Sequence, residues 1–427
     1  MARMRRHRSG GGDDEESAGS SPGSGSPVLK LAILVLLVLA GVTLASQSKF
    51  MGKSGFNATI QQVVNETLAM STSSSSSREM AESTTSSSPL SSFLQPAQPA
   101  LVDPGKYAPF SCLGLLHDMK NSSAMKAKDP NNGMMHARRT ETDPPFYISL
   151  HRETFDKTRW CIMQYGHYYE RELTKAFVEV LKASPPGSRI LDVGANIGFF
   201  SLVSAAQGSF FIDSFEPNLK NRMRFCESLN MNRWTYTEFN HPHAVVDQQL
   251  GFTPPRVNLY PYGVGKEEGI FMFQENNNPG QGAVVETKAT AGAANSIQIV
   301  TLDGFAKERG WFDSRPHIAV MKVDVEGFEP SVIEGAKELL RSHMIRNIFM
   351  EVSVRNAPER EKQIPMIQYF TAAGYKVFKI GGWQGPNNPV SWPNDAALVN
   401  NVLDAAAKES AKQLNVWWTI QDATITA

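Results

Sequence analysis

The stretch RILDVGANIGFFSLVSAAQ, Arg189 to Gln207, constrains the fold more than any other part of the chain. A short apolar run passes through a loop with glycines at 194 and 198 directly into an apolar helical period. A strand that is apolar on both faces needs cover on both, which is the condition of a parallel sheet. The alternation recurs: SFFIDSF then NLKNRMRFCESLNM, IAVMKVDV then a helix from about Pro330 to Ser342, and RNIFMEVSV then PMIQYFTAAGY. RVNLYPYGVG, GIFMFQE and IQIVTL read as further strands, and KVFKI, AALVNNVLDAAAKESAK and VWWTIQD complete the chain. The pattern predicts an α/β fold with a doubly wound, mostly parallel sheet, VWWTIQD closing its edge. An amphipathic helix is expected over Glu170 to Lys182, with Leu173, Phe177, Val180 and Leu181 on one face and SPPG stopping it.

Glycines between a strand and a helix let backbone approach a ligand, and the helix N-terminus offers N–H groups, although an ordinary tight turn has the same look. Two acids add to the signal. Asp192 stands just before the loop, and Glu216 in SFEPN ends the next strand, where a carboxylate can accept hydrogen bonds from ribose hydroxyls. A dinucleotide site wants GxGxxG for its pyrophosphate, whereas Asn196 takes the middle glycine's place here. S-adenosylmethionine has no phosphate and carries a cationic amine, so an acid at the strand tip suits it and would repel pyrophosphate. S-adenosylmethionine is therefore the expected cofactor.

In open α/β sheets ligands bind beyond the carboxyl ends of the strands, and MKVDVEGFEP puts three acids at such an end. Alternation sets Lys322, Asp324 and Glu326 on one side while the segment stays extended. An acceptor that reacts there must be aligned and relieved of its proton, and a positioned carboxylate does both as general base. Asp324 is the expected base, with Glu326 as its orienting partner or alternative. Glu329 precedes Pro330, a residue favoured in a first helical turn, and reads as a helix cap. Lys322 either neutralises its neighbours or meets substrate. Two of these acids with Glu351 could gather a divalent cation, but the spacing demands none and no metal is expected. His241 and His243 are alternative bases, and Asp303 starts a turn or helix.

Taken together, LDVGANIGFFSL, SFEPN, TLDGF and MKVDVEGFEPSVIEGA resemble the FkbM family of methyltransferases, over roughly Tyr168 to Gly374. The resemblance implies a Rossmann-like methyltransferase that uses S-adenosylmethionine, usually for O-methylation of hydroxyls on sugars or secondary metabolites. On that basis Asp192, Gly194, Asn196 and Gly198 form the cofactor loop and Glu216 holds the ribose. The chain departs from the compact family pattern between Trp234 and Pro261, in the region that normally supplies the adenine contact, and its segment after Gly381 falls outside the resemblance.

Lys plus Arg equals Asp plus Glu at 42 each, so no basic excess points to nucleic acid. The three cysteines, Cys112, Cys161 and Cys226, are too few for a disulfide scaffold and lack metal-ligand spacing. At most one disulfide forms within the chain. Cys112 with Cys161 is the expected pair, and Cys226, on an amphipathic helix, reads as a buried thiol.

The apolar run at residues 28–46 is long enough for a signal anchor, and its 27-residue lead is long for a cleaved signal peptide. Arg3, Arg5, Arg6, Arg8 and Lys30 outnumber Lys49 and Lys53, so residues 1–27 are expected in the cytosol and the rest in a lumen. The sequons at Asn57, Asn65 and Asn121 all follow the span. Residues 47–100 are Ser/Thr-rich and read as a disordered stem, 101–165 as a lead-in, and 166–427 as the catalytic domain. The expected protein is a single-pass type II membrane protein of the Golgi or endoplasmic reticulum, methylating a glycan or small metabolite. The alternative is a catalytically inactive binding module of the same fold.

Overall fold

The computed structural model describes residues 105–152, 162–163, 170–235, 255–275, 282–380 and 390–420. The expected tail, the 28–46 span, the stem, the sequons at Asn57 and Asn65, and His241 and His243 lie outside these residues. Among the described residues no helix is long and apolar enough to cross a membrane.

Eight strands form the main sheet, in the order β13-β12-β14-β11-β10-β3-β4-β5. They are β3 (Arg189–Val193), β4 (Phe211–Phe215), β5 (Arg256–Tyr260), β10 (Ile318–Val323), β11 (Ile345–Ser353), β12 (Lys376–Lys379), β13 (Val390–Ser391) and β14 (Gln413–Thr419). The five strands from β11 to β5 are parallel. β3 and β10 are buried along their whole length, as the unbroken apolar runs require. Helix α4 (Phe199–Gln207) connects β3 to β4, and α5 (Leu219–Met231) follows β4. The predicted amphipathic helix is α3 (Arg171–Lys182), with Leu173, Phe177, Val180 and Leu181 buried.

The sheet is mixed at its far side. VWWTIQD does not close an edge: β14 lies antiparallel between β11 and β12, with Asn347 to Ser353 opposite Thr419 to Gln413. Trp417 and Trp418 explain the position, since Trp417 stacks on Phe349 and Phe378 and Trp418 stacks on Phe370. Aromatics buried on both faces belong inside a sheet.

GIFMFQE and IQIVTL leave the main sheet altogether. A second sheet of four strands, ordered β6-β9-β7-β8, holds β6 (Gly263–Val264), β7 (Gly269–Glu275), β8 (Gly282–Lys288) and β9 (Ser296–Val300). The helix expected from Pro330 to Ser342 breaks into α8 (Glu329–Glu334) and α9 (Lys337–Arg341). At the break, a Cβ on Gly335 would stand 2.0 Å from the Gly265 carbonyl oxygen, so the close backbone approach there requires glycine.

The described part of the lead-in packs on α5. It contributes α1 (Cys112–Asn121), α2 (Ser123–Lys128) and the hairpin β1 (His136–Arg139) with β2 (Tyr147–Leu150). The expected cysteine pair is corrected here, because Cys112 is bonded to Cys226 across the α1–α5 contact. Beside it, buried Arg224 reaches Asp129 at 2.8 Å, and the Ser149 amide donates to Ser228 Oγ at 2.9 Å. Both disulfide partners are buried, which puts Cys226 inside the fold as expected but not as a thiol.

Candidate active site

Strand order reverses at β3: the chain proceeds outward through β4 and β5 on one side, then returns to lay β10 against β3's other edge. Such a switch point opens a crevice beyond the strands' carboxyl ends. The loops after β3 and β10 form it. Their backbones touch so closely that a Cβ on Gly194 would stand 1.9 Å from the Asp324 carbonyl oxygen. The Asp324 amide donates to Val193 O at 3.0 Å, closing the two strand ends together.

The β3 loop is held by its own hydrogen bonds. Gly194 N and Ala195 N both donate to Phe215 O at 3.0 Å, and Gly198 N donates to Ala195 O at 2.8 Å. Asn196 N donates to Glu216 Oε2 at 2.7 Å, and Ile197 N to Asn196 Oδ1 at 2.8 Å. Each amide from 194 to 198 is thus already bonded within the protein, which leaves no nest for a pyrophosphate. The backbone is left-handed at Gly194, Asn196 and Gly198, with φ of 79°, 54° and 88°.

The expected cofactor residues Asp192, Gly194, Asn196 and Glu216 line one cleft with Asp324 and Glu326. Gly198 does not line it. Its Cα faces the Phe225 ring, where a Cβ would stand 2.3 Å from the nearest carbon, so this glycine serves helix packing. Asp192 accepts from Ser201 N at 2.9 Å and from Ser201 Oγ at 2.5 Å. Burial raises its pKa to about 6 against the pull of Ser201 and Lys322. Glu216 accepts from Asn218 N at 2.8 Å besides Asn196, and burial lifts it to about 7. Carboxylate oxygens have two lone pairs each, so both acids keep acceptor capacity toward the cleft.

The carboxylate half differs from the extended geometry expected of it. β10 ends at Val323 and the chain turns, with left-handed φ of 56° at Glu326 and 103° at Gly327. Lys322 and Glu326 therefore do not share a strand face. Lys322 is buried and pairs with Asp324 at 3.2 Å; burial lowers its pKa, but Asp324, Glu170 and Glu351 outweigh that and the net shift is upward. Glu329 Oε1 accepts from Val325 N at 3.1 Å and Gly327 N at 3.2 Å, so Glu329 ties the turn as well as opening α8. Burial raises Glu329 to about 7; burial, then Asp324 and Glu329, raise Glu351 to about 9. Asp303 accepts from Glu338 N and Leu339 N, which makes it a cap for α9.

Sequence reasoning missed one wall. Gly263, Val264, Phe273, Gly282 and Val284 of the second sheet, with Tyr262 just before it, also line the cleft. The alternating burial of β7, with Phe271 and Phe273 inward, was the available signal for a sheet covered on one face only.

Residues 192–377 match the methyltransferase FkbM domain. Among solved structures, a precorrin-6y C5,15-methyltransferase from Geobacter metallireducens aligns over 59% of this chain and 90% of its own, at 10% identity and TM-score 0.27. An S-adenosylmethionine-dependent methyltransferase from Agrobacterium tumefaciens aligns over 67% and 72%, at 7% identity and TM-score 0.31. Another from Geobacter sulfurreducens, in complex with S-adenosylhomocysteine, aligns over 62% and 98%, at 12% identity and TM-score 0.25. The search of curated proteins finds no match. The match to the methyltransferase FkbM domain covers residues 192–377, the stretch that holds β3, the β10 turn and the cleft between them.

Proposed function

We propose that the chain O-methylates a hydroxyl of a glycan or small metabolite, in the lumen of the Golgi or endoplasmic reticulum, behind a type II anchor at residues 28–46. The observation that carries the chemistry is that Asp324 and Glu326 share one cleft with Asp192, Asn196 and Glu216. Glu216 would accept from the ribose hydroxyls, and Asp192 would face the cationic amino-acid end of S-adenosylmethionine. The β3 loop fits this ligand because its amides are already bonded internally, as a phosphate-free cofactor permits. When bound, the cofactor supplies an electrophilic methyl group and leaves as S-adenosylhomocysteine with the electrons of its broken S–C bond. Asp324, paired with Lys322, would hold the acceptor hydroxyl and take its proton as the oxygen–carbon bond forms. Glu326 would orient the acceptor from the same turn.

Two features support the lumen. The Cys112–Cys226 disulfide belongs to an oxidising compartment. Asn121, in a sequon at the end of α1, is exposed, as a glycan acceptor must be.

The test uses the full chain in detergent. Calorimetry should detect S-adenosylmethionine binding, weakened at least about tenfold by E216Q, and labelled methyl should pass to a hydroxyl-bearing extract in an alkali-stable linkage. Endoglycosidase should shift the expressed protein on a gel. Label found only on nitrogen or carbon would reject O-methylation, and a glycosidase-insensitive chain would reject the luminal placement.

A further inference from the structure

Beside the cleft stands a group of acids that the methyl-transfer reading leaves mostly unused. Asp324, Glu329 and Glu351 each bring one carboxylate oxygen within 4.8 Å of the other two. Oxygens on opposite sides of a hard divalent cation stand about 4.2 Å apart for Mg2+ and about 5 Å apart for Ca2+, so the gathering already has the span of a coordination sphere. Each acid has one oxygen engaged elsewhere: Asp324 with Lys322, Glu329 with the turn amides, Glu351 with Gln413 Nε2 at 2.8 Å.

Glu329 supplies the second and independent observation. Its side chain is fully buried, and Oε2 has no hydrogen-bond donor. A buried carboxylate oxygen without a donor costs a good fraction of a hydrogen bond or more, and it persists where a ligand completes it. Because Oε1 is committed to Val325 N and Gly327 N, Oε2 is the oxygen Glu329 can give to a cation. Charge points the same way. Glu351 feels the negative charge of Asp324, Glu329, Glu170 and Glu326, making five acids together, and among the described residues Lys322 and Arg355 are cations that interact with members of this group. An all-oxygen donor set selects Mg2+, Mn2+ or Ca2+ over softer metals.

We infer that Asp324, Glu329 and Glu351 form a binding site for one hard divalent cation at the acceptor side of the cleft. The expectation from spacing was that no metal is needed, and it left open which two of the acids would join Glu351. The turn after Val323 swings Glu329 into place. The site's role rests on the methyl-transfer reading with Glu326, the alternative base, taking the hydroxyl proton in place of Asp324, while the cation would hold an oxygen of the acceptor.

The experiment titrates Mn2+ into the full chain, stripped with EDTA and held in detergent, and follows free Mn2+ by electron paramagnetic resonance. One equivalent should bind, with Mg2+ or Ca2+ competing. E351Q and D324N should each raise the dissociation constant at least about tenfold, while E334Q, on the exposed face of α8, should leave it unchanged. E329Q is read only if its circular dichroism matches the parent, since its carboxylate also holds the turn. Absence of binding by the parent at millimolar Mn2+, or equal binding by E351Q and D324N, overturns the site. Binding as expected, with methyl transfer indifferent to EDTA, overturns the acceptor role alone. Binding with no methyl transfer under any condition counts against the proposed function and leaves the site standing.

Discussion

Replacing Gly194 by alanine tests whether the contact between the β3 and β10 loops builds the cofactor cleft. The residue has φ of 79°, where a side chain costs about 1–2 kcal/mol. Its new Cβ would stand 1.9 Å from Asp324 O, 2.8 Å from Asp324 C and 3.0 Å from Val325 Cγ1. The obstacle is backbone, so the loops must part by about 1 Å or more to reach ordinary contact. Parting them strains the Asp324 N to Val193 O bond, worth about 0.5–1.5 kcal/mol net. The sum predicts about 1.5–3.5 kcal/mol of lost stability. Gly187 is the internal control: its φ is 80°, but a Cβ there meets nothing within 4 Å. G187A should show the backbone cost alone, about 1–2 kcal/mol, and bind S-adenosylmethionine normally. G194A should bind it on the order of 100-fold more weakly, the scale of effect a 1 Å misplacement has at a preorganised site. Urea unfolding and calorimetry on both variants read the two numbers. Equal losses of stability, or unchanged affinity in G194A, would refute the claim that this contact shapes the cleft.

Glu216 must be ionised to accept from a ribose, and burial sets its pKa at about 7. Affinity for S-adenosylmethionine should therefore fall as pH drops below 7, approaching tenfold per unit, and steepen below about 6 as Asp192 also gains a proton; a flat calorimetric profile from pH 8 to 5.5 would contradict it. Glu351 is raised to about 9, so the stability linked to its proton is present at low pH and lost as pH rises toward 9. In chelator, E351Q should unfold at higher urea than the parent at pH 8, the gap closing toward pH 5. C112S and C226S remove a cross-link that spans 114 residues, and each should lose about 2–5 kcal/mol in urea, as should the parent when reduced.

What could be read from the sequence followed from periodicity, and what could not followed from strand order. β3, β4, β10 and β11 announce themselves because burial on both faces leaves a largely apolar run in each. Asp192 and Glu216 were legible because they end such runs, and their place at the crevice follows from parallel topology alone. Nothing local distinguishes an edge strand from one inserted between two others; β14 takes the inner place because Trp417 and Trp418 are buried against Phe349, Phe378 and Phe370. The Cys112–Cys226 pair was missed for the same reason: it joins residues 114 apart, and only the packing of α1 on α5 brings them together. Glu326 leaves the face it would share with Lys322 because of one turn. Alternation holds while a chain is extended, but β10 stops at Val323 and left-handed residues at 326 and 327 rotate the acids that follow. The turn is in turn fixed by Glu329, whose Oε1 collects two of its amides, while Gly194 admits the Asp324 carbonyl from the neighbouring loop. One buried acid and one glycine thus decide which carboxylates face the cofactor loop and which face Glu351, a choice that no count of charges along MKVDVEGFEP contains.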